Sequence, residues 1–257
     1  MDTITYFKIE IPKNPSKKFV CELLKKAYHN FNAYDSISCE FPDPLGVARI
    51  YEDERVALFC ALFSYGNARA IVKFLQSCDL ESLKNREKKE ATKKPYRFQK
   101  IEEIQAFFEV LCEIESLKEI FLQGYKKGIV SGIHTLQNEL LREVSKKIKI
   151  SQGLEFLLGK VESNSPLKRW NMFLRWLVRK DSLDLGLWGE VDKKDLLLPL
   201  DTHTFKMSLR LGMIKRKTYD FKAVLEATDF LRKIDKNDPI KYDFALYRIG
   251  QLKILES

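Results

Sequence analysis

"LLLPLDTHTFKMSLRLG", Leu196–Gly212, is the stretch on which the reading of this chain turns. An apolar run closes on Pro199 and Leu200, Asp201 follows at once, and a helical pattern starts at Thr202. An aspartate in that place is the ordinary N-cap of a helix, accepting hydrogen bonds from the free N–H groups of the first turn. A catalytic carboxylate can be held at the same kind of helix end. The two readings differ in whether a reactive partner meets Asp201.

Upstream lies "SNSPLKRWNMFLRWLVRKD", Ser163–Asp181. Its spacing predicts the strongest helix of the chain, from Pro166 to Lys180, with Ser165 as its cap and Pro166 in the first turn. At 3.6 residues per turn, Lys168, Met172, Arg175 and Arg179 fall on one stripe. Leu167, Trp170, Leu174, Leu177 and Val178 fall on the opposite side. The cationic stripe is expected to meet solvent, acids or phosphates. Lys168 stands in the first turn, where the helix dipole disfavours a cation. Either it snorkels or pairs with an acid, or its ammonium is destabilised and the neutral amine serves as a nucleophile.

The surrounding composition is that of a soluble globular chain: 257 residues, 45% hydrophobic and 32% charged. Glycine and proline are scarce, at 11 and 8, and no long stretch alternates with period two, which favours helices over a turn-rich sheet. The cysteines Cys21, Cys39, Cys60, Cys78 and Cys112 form no CxxC pair, and His29, His134 and His203 share no ligand spacing. No disulfide framework, metal or cofactor is therefore expected. "MDTITYFKIE" lacks the apolar core of a signal peptide, and no run reaches the roughly 18–20 apolar residues of a membrane span. A cytoplasmic protein with no membrane partner is the expectation. The net charge of +9 is compatible with a polyanionic partner. Between Lys84 and Lys100 eight basic residues stand against two acidic ones, with Tyr96 and Phe98 interleaved. That run is either a solvated connection or a phosphate-contacting loop carrying Lys93 and Lys94.

Residues 1–40 read as an extended lead-in and one helix from Ser16, with Phe19, Val20, Leu23, Leu24 and Ala27 turned inward. "CEFPDPLG" reads as a proline-rich turn, followed by a helix over Asp53–Tyr65 that is apolar nearly all round and another over Ala68–Ser77. Helical spacing recurs at 100–111, 116–125, 136–149, 150–161, 202–211, 220–234 and 238–255, with "KKGIVSG" as a turn. Asp238 reads as the cap of the helix that Pro239 opens, and Tyr242, Asp243 and Arg248 as ties to its neighbours. The expectation is an all-α chain of about ten helices in a single unit.

"SPLKRWNMFLRWLVRKD", "DLGLW", "LPLDTHTFKMSLRLG" and "DPIKYDFALYRIGQ" occur here in order, after "FPDPLG" and "EDERVALFCALFSYGNARAIVKFL". Together, over residues 41–251, they resemble an uncharacterised bacterial family of hypothetical proteins. That family in turn looks like a remote branch of the helix-hairpin-helix (HhH-GPD) DNA glycosylases. "PLDTHTFKMSLRLG" is similar to the Val-Asp-Thr-His segment and arginine-bearing helix of endonuclease III. The resemblance implies a two-lobed helix-hairpin-helix glycosylase-like fold, with its catalytic segment at about 163–212. It implies Asp201 as the essential carboxylate and Lys168 as the nucleophile. The 33-residue interval between them resembles that of the archaeal 8-oxoguanine DNA glycosylase. Here the chain departs from the usual glycine-rich hairpin, which "VESNSPL" replaces.

The function so implied is a base excision repair enzyme, a DNA glycosylase/AP lyase that removes an oxidised purine, 8-oxoguanine first, from double-stranded DNA as a monomer. Cleavage of the glycosidic bond builds positive charge on the sugar, which Asp201 would stabilise. Lys168 would attack C1′ and leave a Schiff base. The flipped base would need a pocket, for which Trp170, Met172, Phe173, Trp176 and Trp188 are candidates. Arg175, Arg179, His203, Lys206, Lys93 and Lys94 are candidates for DNA contact. Two alternatives stand: a non-catalytic DNA- or RNA-binding protein in which Asp201 only caps, and a monofunctional glycosylase in which Asp201 directs water.

Overall fold

A helix with no polar face can exist only where other helices cover it completely, and the segment after Asp53 is such a helix. In the computed structural model, which describes residues 9–33, 37, 41–251 and 255–256, every side chain from Arg55 to Leu62 is buried. Around it, among the described residues, thirteen α-helices are laid down. They are α1 (Lys17–Phe31), α2 (Pro44–Tyr51), α3 (Glu54–Leu62), α4 (Ala68–Leu75), α5 (Leu80–Lys84), α6 (Ile101–Glu113) and α7 (Leu117–Tyr125). α8 (Ile129–Lys147), α9 (Gln152–Leu158), α10 (Lys168–Val178), α11 (Thr202–Arg210), α12 (Phe221–Arg232) and α13 (Asp243–Gln251) complete the set. The only strand pairing among the described residues is the two-residue parallel match of Ile9–Glu10 with Leu255–Glu256. The chain is all-α. Among the described residues no helix is long and apolar enough to cross a membrane. Cys39 and the first eight residues of the lead-in lie outside the described residues.

Aromatic packing fixes α6 on α3, with Phe107 stacked against Phe59 at a centroid distance of 6.1 Å. α10 crosses α3 from the other side, and Arg169 Nη1 donates to the Leu62 carbonyl at 2.5 Å. α1 lies on α13, and just before α13 the Tyr242 ring meets Tyr28 edge-on. α1 starts where Ser16 caps it, as its sequence predicts, with Val20, Leu23, Leu24 and Ala27 inward. Cys60 and Cys78 are core thiols whose pKa values burial pushes up, Cys78 to about 12.

Three local readings need correction. "CEFPDPLG" is not only a turn: Asp43 caps α2 and Pro44 occupies its first position, where a missing N–H costs nothing. "KKGIVSG" turns only at Gly128, while Gly132 lies inside α8. A Cβ on Gly132 would sit 2.6 Å from the Phe121 ring, and one on Gly124 would sit 2.4 Å from the Ser131 carbonyl. The glycines let α7 and α8 close into a tight helical hairpin. Finally, α10 begins at Lys168 rather than Pro166. Leu167 takes a left-handed conformation (φ 52°), so Ser165 and Pro166 form a turn ahead of the helix.

The run that opens on Leu196 is extended core. Leu196, Leu197, Leu198 and Leu200 are buried, and the Leu198 N–H donates to Thr228 Oγ1 on α12 at 3.0 Å. Burial of such side chains contributes roughly 1.5–3 kcal/mol each. This anchoring delivers Asp201 to a fixed place at the head of α11.

Candidate active site

The beginnings of four helices meet here. Lys168 is the first residue of α10, Asp201 caps α11, Asp43 caps α2, and Asp243 opens α13. Lys168 is half-buried and lies within electrostatic reach of all three carboxylates. Burial depresses its ammonium pKa below the usual lysine value, and the carboxylates of Asp201, Asp43 and Asp243 only partly oppose that. The first-turn position adds the helix dipole to the same side of the balance.

Asp201 shows how one residue serves both readings of the opening stretch. Its Oδ1 accepts from the His203 N–H at 2.8 Å, the Thr204 N–H at 2.7 Å and the Thr204 hydroxyl at 2.6 Å. The Asp201 N–H in turn donates to Thr204 Oγ1 at 2.9 Å, closing a reciprocal cap. All of these bonds use one oxygen. Among the described residues Oδ2 accepts none, so the cap holds the carboxylate while leaving an oxygen for chemistry.

The other two acids differ in setting. Asp43 Oδ1 accepts from the Leu45 N–H at 2.9 Å. Asp243 is buried and pairs with Arg175 at 2.5 Å; burial raises its pKa, the guanidinium pulls it down, and nearby Asp201 raises it further. Two phenols complete the surroundings. Burial pushes Tyr219 and Tyr247 up to about 12, with the charge of Asp201 adding to both and that of Asp43 to Tyr247. The Tyr219 hydroxyl donates to the Leu200 carbonyl at 2.8 Å, one residue before Asp201. Asp43, Asp243, Tyr219 and Tyr247 were not foreseen as site residues. A signal existed only for Asp43, whose Asp-Pro pair is a helix-start motif.

Of the three surroundings expected for the cationic stripe of α10, Arg175 and Arg179 meet acids. Arg175 and Arg179 are 5% and 4% exposed. Arg175 is held by Asp184 and Asp243, and Arg179 by Asp181, Asp184 and Asp238. The reason is that a guanidinium can enter a core only with partners for its fork of donors; the following loop supplies Asp181 and Asp184, and the C-terminal segment supplies Asp238 and Asp243. Both guanidinium groups are spent on carboxylates inside the protein. Asp238 spends its carboxylate on Arg179 and leaves its short 3-10 turn without a side-chain cap. Burial pushes Asp184 up to about 6 against the pull of both arginines. Replacing Arg179 by methionine leaves Asp181 and Asp238 without a cation and Asp184 with Arg175 alone. We expect a loss of about 3–5 kcal/mol in denaturant unfolding, the range for breaking a buried pair from one side. A change under 1 kcal/mol would show that the network does not stabilise the loop.

The aromatic candidates also lie inside. Trp170, Met172, Phe173, Trp176 and Trp188 are all buried. Trp170 Nε1 donates to the Leu158 carbonyl and Trp188 Nε1 to Glu54, both at 2.8 Å. Trp170, Met172, Phe173 and Trp176 belong to the core face of α10 itself, and Trp188 packs edge-on against Phe173. Exposed instead are His203, Lys206, Lys93 and Lys94. The Lys84–Lys100 connection is not loose either, since Ala91, Thr92, Tyr96 and Gln99 are buried. An open groove elsewhere is lined by five glutamates, among them Glu113, Glu119 and Glu143, and shares no residue with the Lys168 site.

No curated protein and no solved structure matches this chain in comparison. A family model does, over residues 43–252, so the match opens on Asp43 and spans Lys168, Asp201 and Asp243. With every member of the site inside that match, the chain belongs to the family described as protein of unknown function (DUF2400).

Proposed function

We propose that this protein is a DNA glycosylase with AP lyase activity, acting as a cytoplasmic monomer on an oxidised purine in duplex DNA, with 8-oxoguanine as the first substrate to try. The reading includes a two-lobed helix-hairpin-helix glycosylase-like arrangement, with α9 and α10 flanking the turn that "VESNSPL" occupies. One observation carries it: Lys168 begins a largely buried helix, within electrostatic reach of a capped carboxylate whose second oxygen accepts no hydrogen bond among the described residues.

The chemistry follows from those groups. The neutral Lys168 amine attacks C1′ as the C1′–N bond to the base breaks, and the departing base takes up a proton. Positive charge developing on the sugar is stabilised by Oδ2 of Asp201. The same oxygen accepts the proton that the new C–N bond releases from Lys168, and ring opening gives the Schiff base. β-Elimination then breaks the strand on the 3′ side. The flipped nucleotide costs a few kcal/mol of stacking, offset by phosphate contacts to exposed cations such as Lys206, Lys93 and Lys94.

The test is a set of duplex oligonucleotides, each with one lesion, assayed for base release and nicking as salt is varied. We expect release and nicking of the 8-oxoguanine duplex, and affinity that falls steeply with salt. Duplex binding without release from any lesion would favour the non-catalytic alternative, and release without nicking the monofunctional one.

A further inference from the structure

The basic run between Lys84 and Lys100 divides in two. In its first half Lys88 pairs with Glu113 at 2.7 Å, Lys89 pairs with Glu87 at 2.5 Å, and Arg86 donates to the carbonyls of Cys112 and Glu113. Among the described residues Lys93, Lys94, Arg97 and Lys100 make no ion pair, and all four are exposed. The unmatched half ends in a tight two-residue turn, where the backbones of Tyr96 and Gln99 exchange hydrogen bonds at 3.0 and 2.9 Å. Arg97 sits there in a left-handed conformation (φ 51°), and Phe98 points outward, 63% exposed.

This turn is anchored at both ends. Tyr96 is buried, stacks on Phe74 at 4.2 Å and donates its hydroxyl to the Tyr65 carbonyl. Gln99 is buried and donates to the Gly153 carbonyl at 2.7 Å. A Cβ on Gly153 would lie 2.5 Å from the Phe98 carbonyl, so the glycine lets α9 press against the turn. Phe98 is therefore exposed yet held rigidly.

It does not stand alone. The Phe98 ring lies parallel to Tyr65 at 6.1 Å and meets Phe156 edge-on at 5.0 Å, and Phe156 is itself 42% exposed. The guanidinium of Arg169 sits 4.8 Å from the Phe156 ring and 5.2 Å from that of Tyr65. Arg169 follows Lys168 in the chain, so the aromatic patch begins one residue from the candidate nucleophile. An anchored, exposed aromatic cluster beside unpaired cations matches a ligand with apolar faces on an anionic backbone. A protein partner would need acids at the rim; single-stranded nucleic acid supplies both features along its whole length.

We propose that Tyr65, Phe98 and Phe156 form a stacking platform for unpaired DNA bases, with Lys93, Lys94 and Arg97 contacting the flanking phosphates. The platform does not depend on the glycosylase reading, because stacking and phosphate contact require no chemistry at Lys168.

The experiment is fluorescence anisotropy with a labelled twelve-residue oligothymidylate and with a duplex of the same length, at several salt concentrations. For the doubly substituted Phe98→Ala/Phe156→Ala protein we expect single-strand affinity to fall about 5-fold or more, the loss of at least one stacked base. Duplex affinity should change less and the salt slope should stay as in wild type. Lys93→Gln/Lys94→Gln should flatten that slope for both ligands. Both aromatic positions are exposed, and unchanged circular dichroism and thermal melting will show that the variants fold. Wild type that does not bind the single strand at low salt overturns the proposal. So does a double variant that binds it as wild type does, or that loses duplex and single-strand affinity equally. Failure of the glycosylase assay leaves these outcomes untouched.

Discussion

Asp201→Asn should fold like wild type and lose base release by about 10²–10⁴-fold, the usual weight of a positioned acid–base group. The geometry makes this substitution unusually clean. Every hydrogen bond the side chain accepts goes to Oδ1, which asparagine retains, and asparagine caps helices about as well as aspartate. The loss falls on Oδ2, which becomes an NH₂ that can neither carry negative charge nor take a proton. Stability should stay within about 1 kcal/mol of wild type in urea unfolding. If the folded variant turns over normally, Asp201 is only a cap.

Lys168→Gln should remove the borohydride-trappable cross-link and strand nicking entirely, while lesion duplex is still bound through phosphates elsewhere. Lys180→Gln is the control, since Lys180 is exposed just beyond the far end of α10, and it should trap as wild type does. The pH dependence carries a sign of its own. Burial lowers the Lys168 pKa from the ordinary 10.5, so the neutral amine is present at lower pH than for an exposed lysine. The wild-type trapping rate should rise with pH and level off below 10.5. A rise that continues past 10.5 would mean that the attacking amine is an ordinary exposed lysine.

Much of this was legible in the sequence, and its limits have physical causes. Long periodic segments declared themselves: α1, α6 and the apolar α3 need little context, because burial pattern and helix period coincide. Short helices did not. α2 and α5 contain too few turns to show a period, and a proline in the first position of α2 resembles a turn until its cap is seen. Asp201 could be singled out, yet Asp53, Asp79 and Asp220 cap helices by the same local rule. Only tertiary packing decides which cap meets a lysine. The same limit misled the reading of Arg175 and Arg179. Periodicity places an arginine on a face, but cannot say that Asp184 from the following loop, Asp238 from the turn before α13 and Asp243 from α13 will come together to bury it. The tryptophans of α10 were likewise visible as large apolar groups, and what they face is set by α3 and α9.

The central claim is that Lys168 is the nucleophile, and one measurement addresses it most directly. Wild-type protein is incubated with an 8-oxoguanine duplex under borohydride, digested, and the DNA-bearing peptide is located by mass spectrometry. The account predicts one cross-linked peptide, with the adduct on Lys168. An adduct on any other lysine, or none on any lesion tried, contradicts it.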